Sequence, residues 1–282
     1  MGMTLETLLP KLEFAHGMED AVRGEISRSP ERIRRLAAEA YRGEDFDFHL
    51  CGSEPLTRLA VITCLLTEKY DAYREKGTPG DVIIETFKDV SLRAGLYREK
   101  TGEAGLSKDD VIWFRHIMNI NIFKLGTLQF QPFEMIYLDE ETLGEPYMSF
   151  TREQKERIPA GSPVINCHIQ RGTDLDAGMT ARSLEEAGRF FKECVPANPF
   201  RAFLCYSWLL YPPMVTHLPP DSRIRQFAER FTVIGCCADS GQAFENLFDG
   251  RKELPAGGTS LQKMALEHPE WLGFACGVIE LL

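Results

Sequence analysis

The stretch PVINCHIQRGTDLDAGMTARSLEEAGRFFKEC, residues 163–194, changes its period in the middle. Residues 163–169 are short, apolar and β-branched, which reads as a strand. From residue 180 onward, Ala181, Leu184, Ala187, Phe190 and Phe191 recur at helical spacing. Residues 180–194 therefore read as an amphipathic helix with Thr180 at its N-cap. A strand that runs through a glycine-bearing loop into a helix is the repeating unit of a sheet with crossover helices.

The same alternation continues downstream. Residues 199–206 (PFRAFLCY) read as a strand, with short helices at 212–217 and 222–230. A strand at 231–237, a helix at 240–248, a Gly257-Gly258 loop, a helix at 259–267 and a last strand at 272–280 complete the chain. Upstream, 121–131 and 133–138 are aromatic and β-branched and read as two strands split at Pro132. Before residue 120 the pattern is nearly all helical. A short amphipathic helix fits 4–14, and later helices are opened by Ser29-Pro30, Ser53 with Pro55, Thr78-Pro79, and the capping box Ser107 with Asp110. The expected fold class is α/β (α+β). A helical domain over 1–120 precedes a mixed-sheet domain over 121–282 with helices on both faces.

Composition narrows the function. The chain has 282 residues and 44% are apolar, enough for a substantial core. Lys plus Arg number 32 against 42 Asp plus Glu, a formal charge of −10. An acidic chain is repelled by nucleic-acid phosphates and anionic lipid, so neither partner is expected. No apolar run reaches the roughly 18 residues of a membrane span. The start MGMTLETLLPKLEF lacks the basic region of a secretory signal. These features point to a cytoplasmic protein whose eight cysteines are reduced and mostly buried. No CxxC pair or other metal-ligand spacing is present, so no metal is expected.

Three places carry possible chemistry. On the strand 163–169, Val164, Asn166 and His168 share one face by period two. An imidazole there is either a buried histidine bonded to a carbonyl or a base able to accept a proton near neutrality. The loop after the strand leads to a helix N-terminus, where free amides and partial positive charge favour phosphate. Arg171 and Arg182 would add charge-assisted contacts, and Thr180 and Ser183 hydroxyls; the structural reading is a capped helix with two solvated arginines. Third, Cys205-Tyr206-Ser207 ends a strand, the usual ligand-facing position in α/β sheets. Cys205 with His168 would make a cysteine-dependent transferase or hydrolase a rival, although nothing flanking Cys205 suggests an activated thiolate. His116, Asn119, Asn121 and Gln129 either pin the junction into the sheet or face an acceptor pocket.

Several segments together resemble a known family. They are WFRHIMNINIFKLGTLQFQPF (113–133), INCHIQRG (165–172), SLEEAGRFFKE (183–193) and CYSWLLYPPMVTHLPPDSRIRQFAERF (205–231). They are similar to a bacterial acyltransferase family that joins a helical N-acyltransferase N-terminal domain to a GNAT-like C-terminal domain. The resemblance implies a GNAT-like sheet and transfer of an acyl group from acyl-CoA, such as acetyl-CoA, to a small amine-bearing acceptor. It implies His168 as base, with Ser207 or Tyr206 near the leaving sulfur. Arg171, Gly172, Thr180, Arg182 and Ser183 would then lie at the cofactor's pyrophosphate. The chain departs from ordinary GNAT enzymes at Gln170–Gly178, where the compact glycine spacing is missing and Asp174 and Asp176 intrude. That departure supports the alternative of a catalytically degenerate GNAT-fold binding or regulatory protein.

Overall fold

A computed structural model describes residues 2–195, 199–249 and 258–281. The chain divides into two compact units, Met1–Lys124 and Leu125–Leu282. The first is helical: α1 (Leu5–Leu8), α2 (Met18–Arg28), α3 (Pro30–Glu39), α4 (Pro55–Glu75), α5 (Gly80–Phe87), α6 (Asp89–Thr101) and α7 (Lys108–Met118). Its axis is α4, where Leu59, Ala60, Val61, Ile62, Leu65 and Leu66 are all buried. A helix apolar around most of its circumference must be enclosed by others. Tyr73 sits among them, edge-on to Phe87, with its hydroxyl donating to the Ile122 carbonyl at 3.0 Å.

The expected capping box of α7 is present, with Ser107 and Asp110 bonding each other's backbone amides. Three other helical boundaries differ. Residues 4–14 form one α-turn followed by a 3₁₀ turn at Leu9–Lys11, where Pro10 intervenes. Ser53 does not cap α4; Glu54 holds the cap position and Pro55 opens the helix. The single helix expected over 78–90 is two, α5 and α6, with the break at Lys88.

The second unit carries a six-stranded sheet in the order β1-β2-β3-β4-β6-β5. The strands are β1 (Phe123–Leu125), β2 (Leu128–Glu134), β3 (Pro163–His168), β4 (Ala202–Ser207), β5 (Thr232–Cys237) and β6 (Phe274–Glu280). Its helices are α8 (Glu140–Leu143), α9 (Arg152–Arg157), α10 (Ala177–Cys194), α11 (Pro212–His217), α12 (Arg223–Ala228), α13 (Gly241–Phe248) and α14 (Ser260–Glu267). Gly257 of the expected loop lies outside the described residues. The β3–β4 pair is parallel and the other recorded pairs are antiparallel, so the sheet is mixed.

The hairpin does not turn at Pro132. The turn is at Gly126, whose φ of +60° favours glycine and where a Cβ would strike the Ser183 side chain. Pro132 lies within β2 opposite Ile165. Because β1 has only three residues, the far end of β2 has a ladder neighbour on one side, where a missing N–H is tolerated. Residues 135–138 are then not a strand. Met135 and Tyr137 instead join Met148 and Ile158 as a cover over Val164, Leu204, Cys276 and Val278 on one sheet face. On the other face, Leu210 and Phe231 close onto Gly277.

Candidate active site

β3 is bonded along its whole length to β2, and β4 along its whole length to β6. Between β3 and β4 the recorded pairing covers Ile165 with Phe203 and Asn166 with Leu204. The thiols of the next residues on the opposite face, Cys167 and Cys205, meet each other. Extending the register places His168 in line with Tyr206, on the face that also holds Asn166 and Leu204.

His168 is half-buried at the carboxyl end of β3. Its Nε2 lies 3.0 Å from Gln131 Oε1 and 3.2 Å from Asn166 Nδ2. A ring nitrogen cannot donate and accept at once. Gln131 suits the nitrogen when it carries a proton, and Asn166 suits it when it presents a lone pair. Nε2 therefore finds a partner in either tautomer of the ring. Side-chain amides hold Nε2.

Tyr206 donates its hydroxyl proton to the Ile136 carbonyl at 2.6 Å, and burial raises its pKa. Ser207 is buried and faces the other side of the sheet; its Oγ accepts from the Leu209 amide at 3.1 Å, capping a 3₁₀ turn. Trp208 is a core side chain. Cys205 is fully buried on the face opposite His168, and its thiol is held protonated by its neighbour Cys167 and by burial. The cysteine–histidine pair is thus not assembled: the two side chains leave the sheet in opposite directions.

The loop after β3 also differs from expectation. α10 begins at Ala177, and Asp176 rather than Thr180 is its N-cap, accepting from the Gly178 and Met179 amides at 2.9 and 3.0 Å. Thr180 is buried and donates back to the Asp176 carbonyl at 3.0 Å. Ser183 is buried and accepts from the Thr127 amide at 2.7 Å, tying α10 to the β1–β2 turn. Both hydroxyls therefore do structural work inside the unit and are not aimed at a ligand. Arg171 forms a two-pronged ion pair with Asp249, one prong being Nη2 to Oδ2 at 2.9 Å. Gly172 has φ of +78° and makes the turn closed by the Thr173 amide on the Gln170 carbonyl. Arg182 is exposed.

Two polar groups that the sequence reading did not assign, and Gln129, which it placed at the junction or at an acceptor pocket, are buried with unmet atoms. Arg230 donates Nη2 to the Ala177 carbonyl at 2.5 Å, yet its buried Nε meets no partner among the described residues. Thr173 Oγ1, in the loop itself, is likewise buried without one. So are both amide atoms of Gln129, directly across from His168 on β2. Arg230 lies 53 residues from Ala177, so no local spacing could have linked them. Among the described residues no group of three His, Cys, Asp or Glu side chains is placed to hold a metal ion.

This chain, a mixed sheet whose central parallel pair is joined through a long helix, belongs to the GNAT-like C-terminal domain family over residues 122–278. Residues 3–120 match the N-acyltransferase N-terminal domain. No curated protein sequence matches the chain. Among solved structures it is similar to an acyltransferase in complex with decanoyl-CoA and teicoplanin, at 19% identity and a TM-score of 0.72. The alignment covers 99% of this chain and 88% of that one. A complex of an acyltransferase with CoA and 10C-teicoplanin aligns over the same shares, at 19% identity and a TM-score of 0.73. At such identity the likeness is one of fold.

Proposed function

We propose that the protein transfers an acyl group from acyl-CoA to a primary amine on a small acceptor. The observation that carries this reading is His168 at the carboxyl end of β3, in line with Tyr206 and held by the side-chain amides of Gln131 and Asn166. Ligands of α/β sheets bind at the carboxyl ends of strands, where His168 and Tyr206 stand. The solved relatives' complexes with CoA, octanoyl-CoA and decanoyl-CoA support acyl-CoA as the donor and make medium chains as worthwhile to test as acetyl-CoA.

His168 takes the proton of the acceptor ammonium and so frees the nitrogen lone pair. The nitrogen attacks the thioester carbonyl, the carbon–sulfur bond breaks, and the second amine proton leaves with the thiolate as free CoA. Tyr206 shares the sheet face of His168 and is the hydroxyl kept for the sulfur; Ser207 lies on the opposite face. At the phosphate end, Arg171, Gly172 and Arg182 remain candidates, joined by Thr173 and Arg230, while Thr180 and Ser183 are withdrawn. Asp176 on the α10 amides opposes phosphate there and favours the alternative, a GNAT-fold binding protein that does not catalyse transfer.

Titration calorimetry with CoA and octanoyl-CoA tests the reading. Binding is expected for the wild type and its loss for the double charge reversal Arg171→Glu with Arg182→Glu, the fold being intact by circular dichroism. No heat with any acyl-CoA at millimolar concentration would move the assignment to a protein that does not use CoA.

A further inference from the structure

Gln129 is fully buried, and neither its Oε1 nor its Nε2 meets a hydrogen-bond partner among the described residues. Buried carboxamides in folded proteins are nearly always paired, so an orphan with both atoms unmet marks a place suited to a further polar group. Its place says which one. Gln129 stands opposite His168 in the β2–β3 ladder, two residues before Gln131, which bonds the His168 ring. Period two puts Gln129, Gln131, Asn166 and His168 on one face. Directly opposed side chains have Cβ atoms about 4.5–5.5 Å apart, so Gln129 and His168 can reach one reacting centre.

We propose that Gln129 is a second catalytic side chain, with Oε1 accepting from the acceptor amine and Nε2 donating to the thioester carbonyl oxygen. The inference rests on the acyl-transfer reading above. A carboxamide is suited to that centre because the two needs there are opposite. The attacking nitrogen still carries N–H groups after His168 has taken one proton, and wants an acceptor. The carbonyl oxygen gains negative charge as the carbon–nitrogen bond forms, and wants a donor. On collapse the carbon–sulfur bond breaks and the oxygen returns to a neutral amide carbonyl, so Gln129 neither gains nor loses a proton. Because both atoms are orphaned, either rotamer of the amide meets the same two needs.

The variant Gln129→Leu keeps the volume and removes the amide, and Gln129→Met does so with an unbranched chain if leucine does not fold. Thiol release from octanoyl-CoA is followed with a panel of primary amines, alongside CoA affinity, melting temperature and the pH–rate profile. The melting temperature should be equal or higher, since an unpaired buried amide is removed. CoA affinity should be unchanged and the acidic limb set by His168 should persist. The rate should fall by roughly 10²–10³-fold, as on loss of an oxyanion donor. Wild-type rates in the folded variant would overturn the role of Gln129 while leaving the reaction in place. A wild type that binds CoA but releases thiol with no amine would overturn acyl transfer, and the catalytic role of Gln129 with it.

Discussion

Two half-buried imidazoles show how much a residue's surroundings decide. His116, on α7, packs edge-on to Trp113 at 5.2 Å, and burial, then Arg115 and Arg93, push its pKa down to about 4. It is a neutral, structural ring at neutral pH. Its pKa is lowered on folding, so between the unfolded value near 6.5 and about 4 the unfolded chain binds the extra proton. Stability from this group is therefore present above that window and lost as pH falls through it. His116→Gln should flatten the fall in melting temperature between pH 6.5 and 4; an unchanged pH dependence would place the sensitivity elsewhere. His168 instead lies between two amides that serve Nε2 in either tautomer of the ring. Its face, and that of Asn166, could be read from period two in the sequence. The orphaned state of Gln129 could not, because it depends on what fails to reach it in three dimensions. Cys205 and His168 are 37 residues apart, and the sequence could not say that they leave the sheet on opposite faces.

At the scale of elements, β3, its loop and α10 were the most legible part of the chain, because the switch from period two to period 3.6 is sharp. The details that went astray are those set by competition between near neighbours. Asp176 and Thr180 are both good caps, one helical turn apart, and the Asx turn of Asp176 prevailed. Pro132 looked like a break, but the left-handed Gly126 beside Ser183 makes the turn, and the short β1 leaves Pro132 a free edge. Asp176→Ala removes both the cap and the carboxylate nearest the α10 amides. Melting should show a loss of about 1 kcal/mol of stability, typical of an N-cap. CoA affinity should rise, because the helix N-terminus then faces phosphate without a competing anion. A lower affinity would mean that Asp176 shapes the phosphate site rather than opposing it.

For the whole molecule, an acidic chain that binds an anionic cosubstrate must concentrate its cations locally, and Arg171, Arg182, Arg223 and Arg230 occur around one loop and helix start. The family and the mixed sheet were legible because they rest on long periodic segments and on several motifs together. The chemistry was legible only where a strand's alternation fixes a side chain's face, as at His168. The central claim is that His168 is the base of an acyl transfer to an amine, and the pH–rate profile of thiol release from octanoyl-CoA by wild type and His168→Gln tests it most directly. A base at this position predicts a folded variant with unchanged CoA affinity, a rate lower by about 10²–10⁴-fold, and no acidic limb. A His168→Gln variant that turns over at the wild-type rate with the same acidic limb would contradict it.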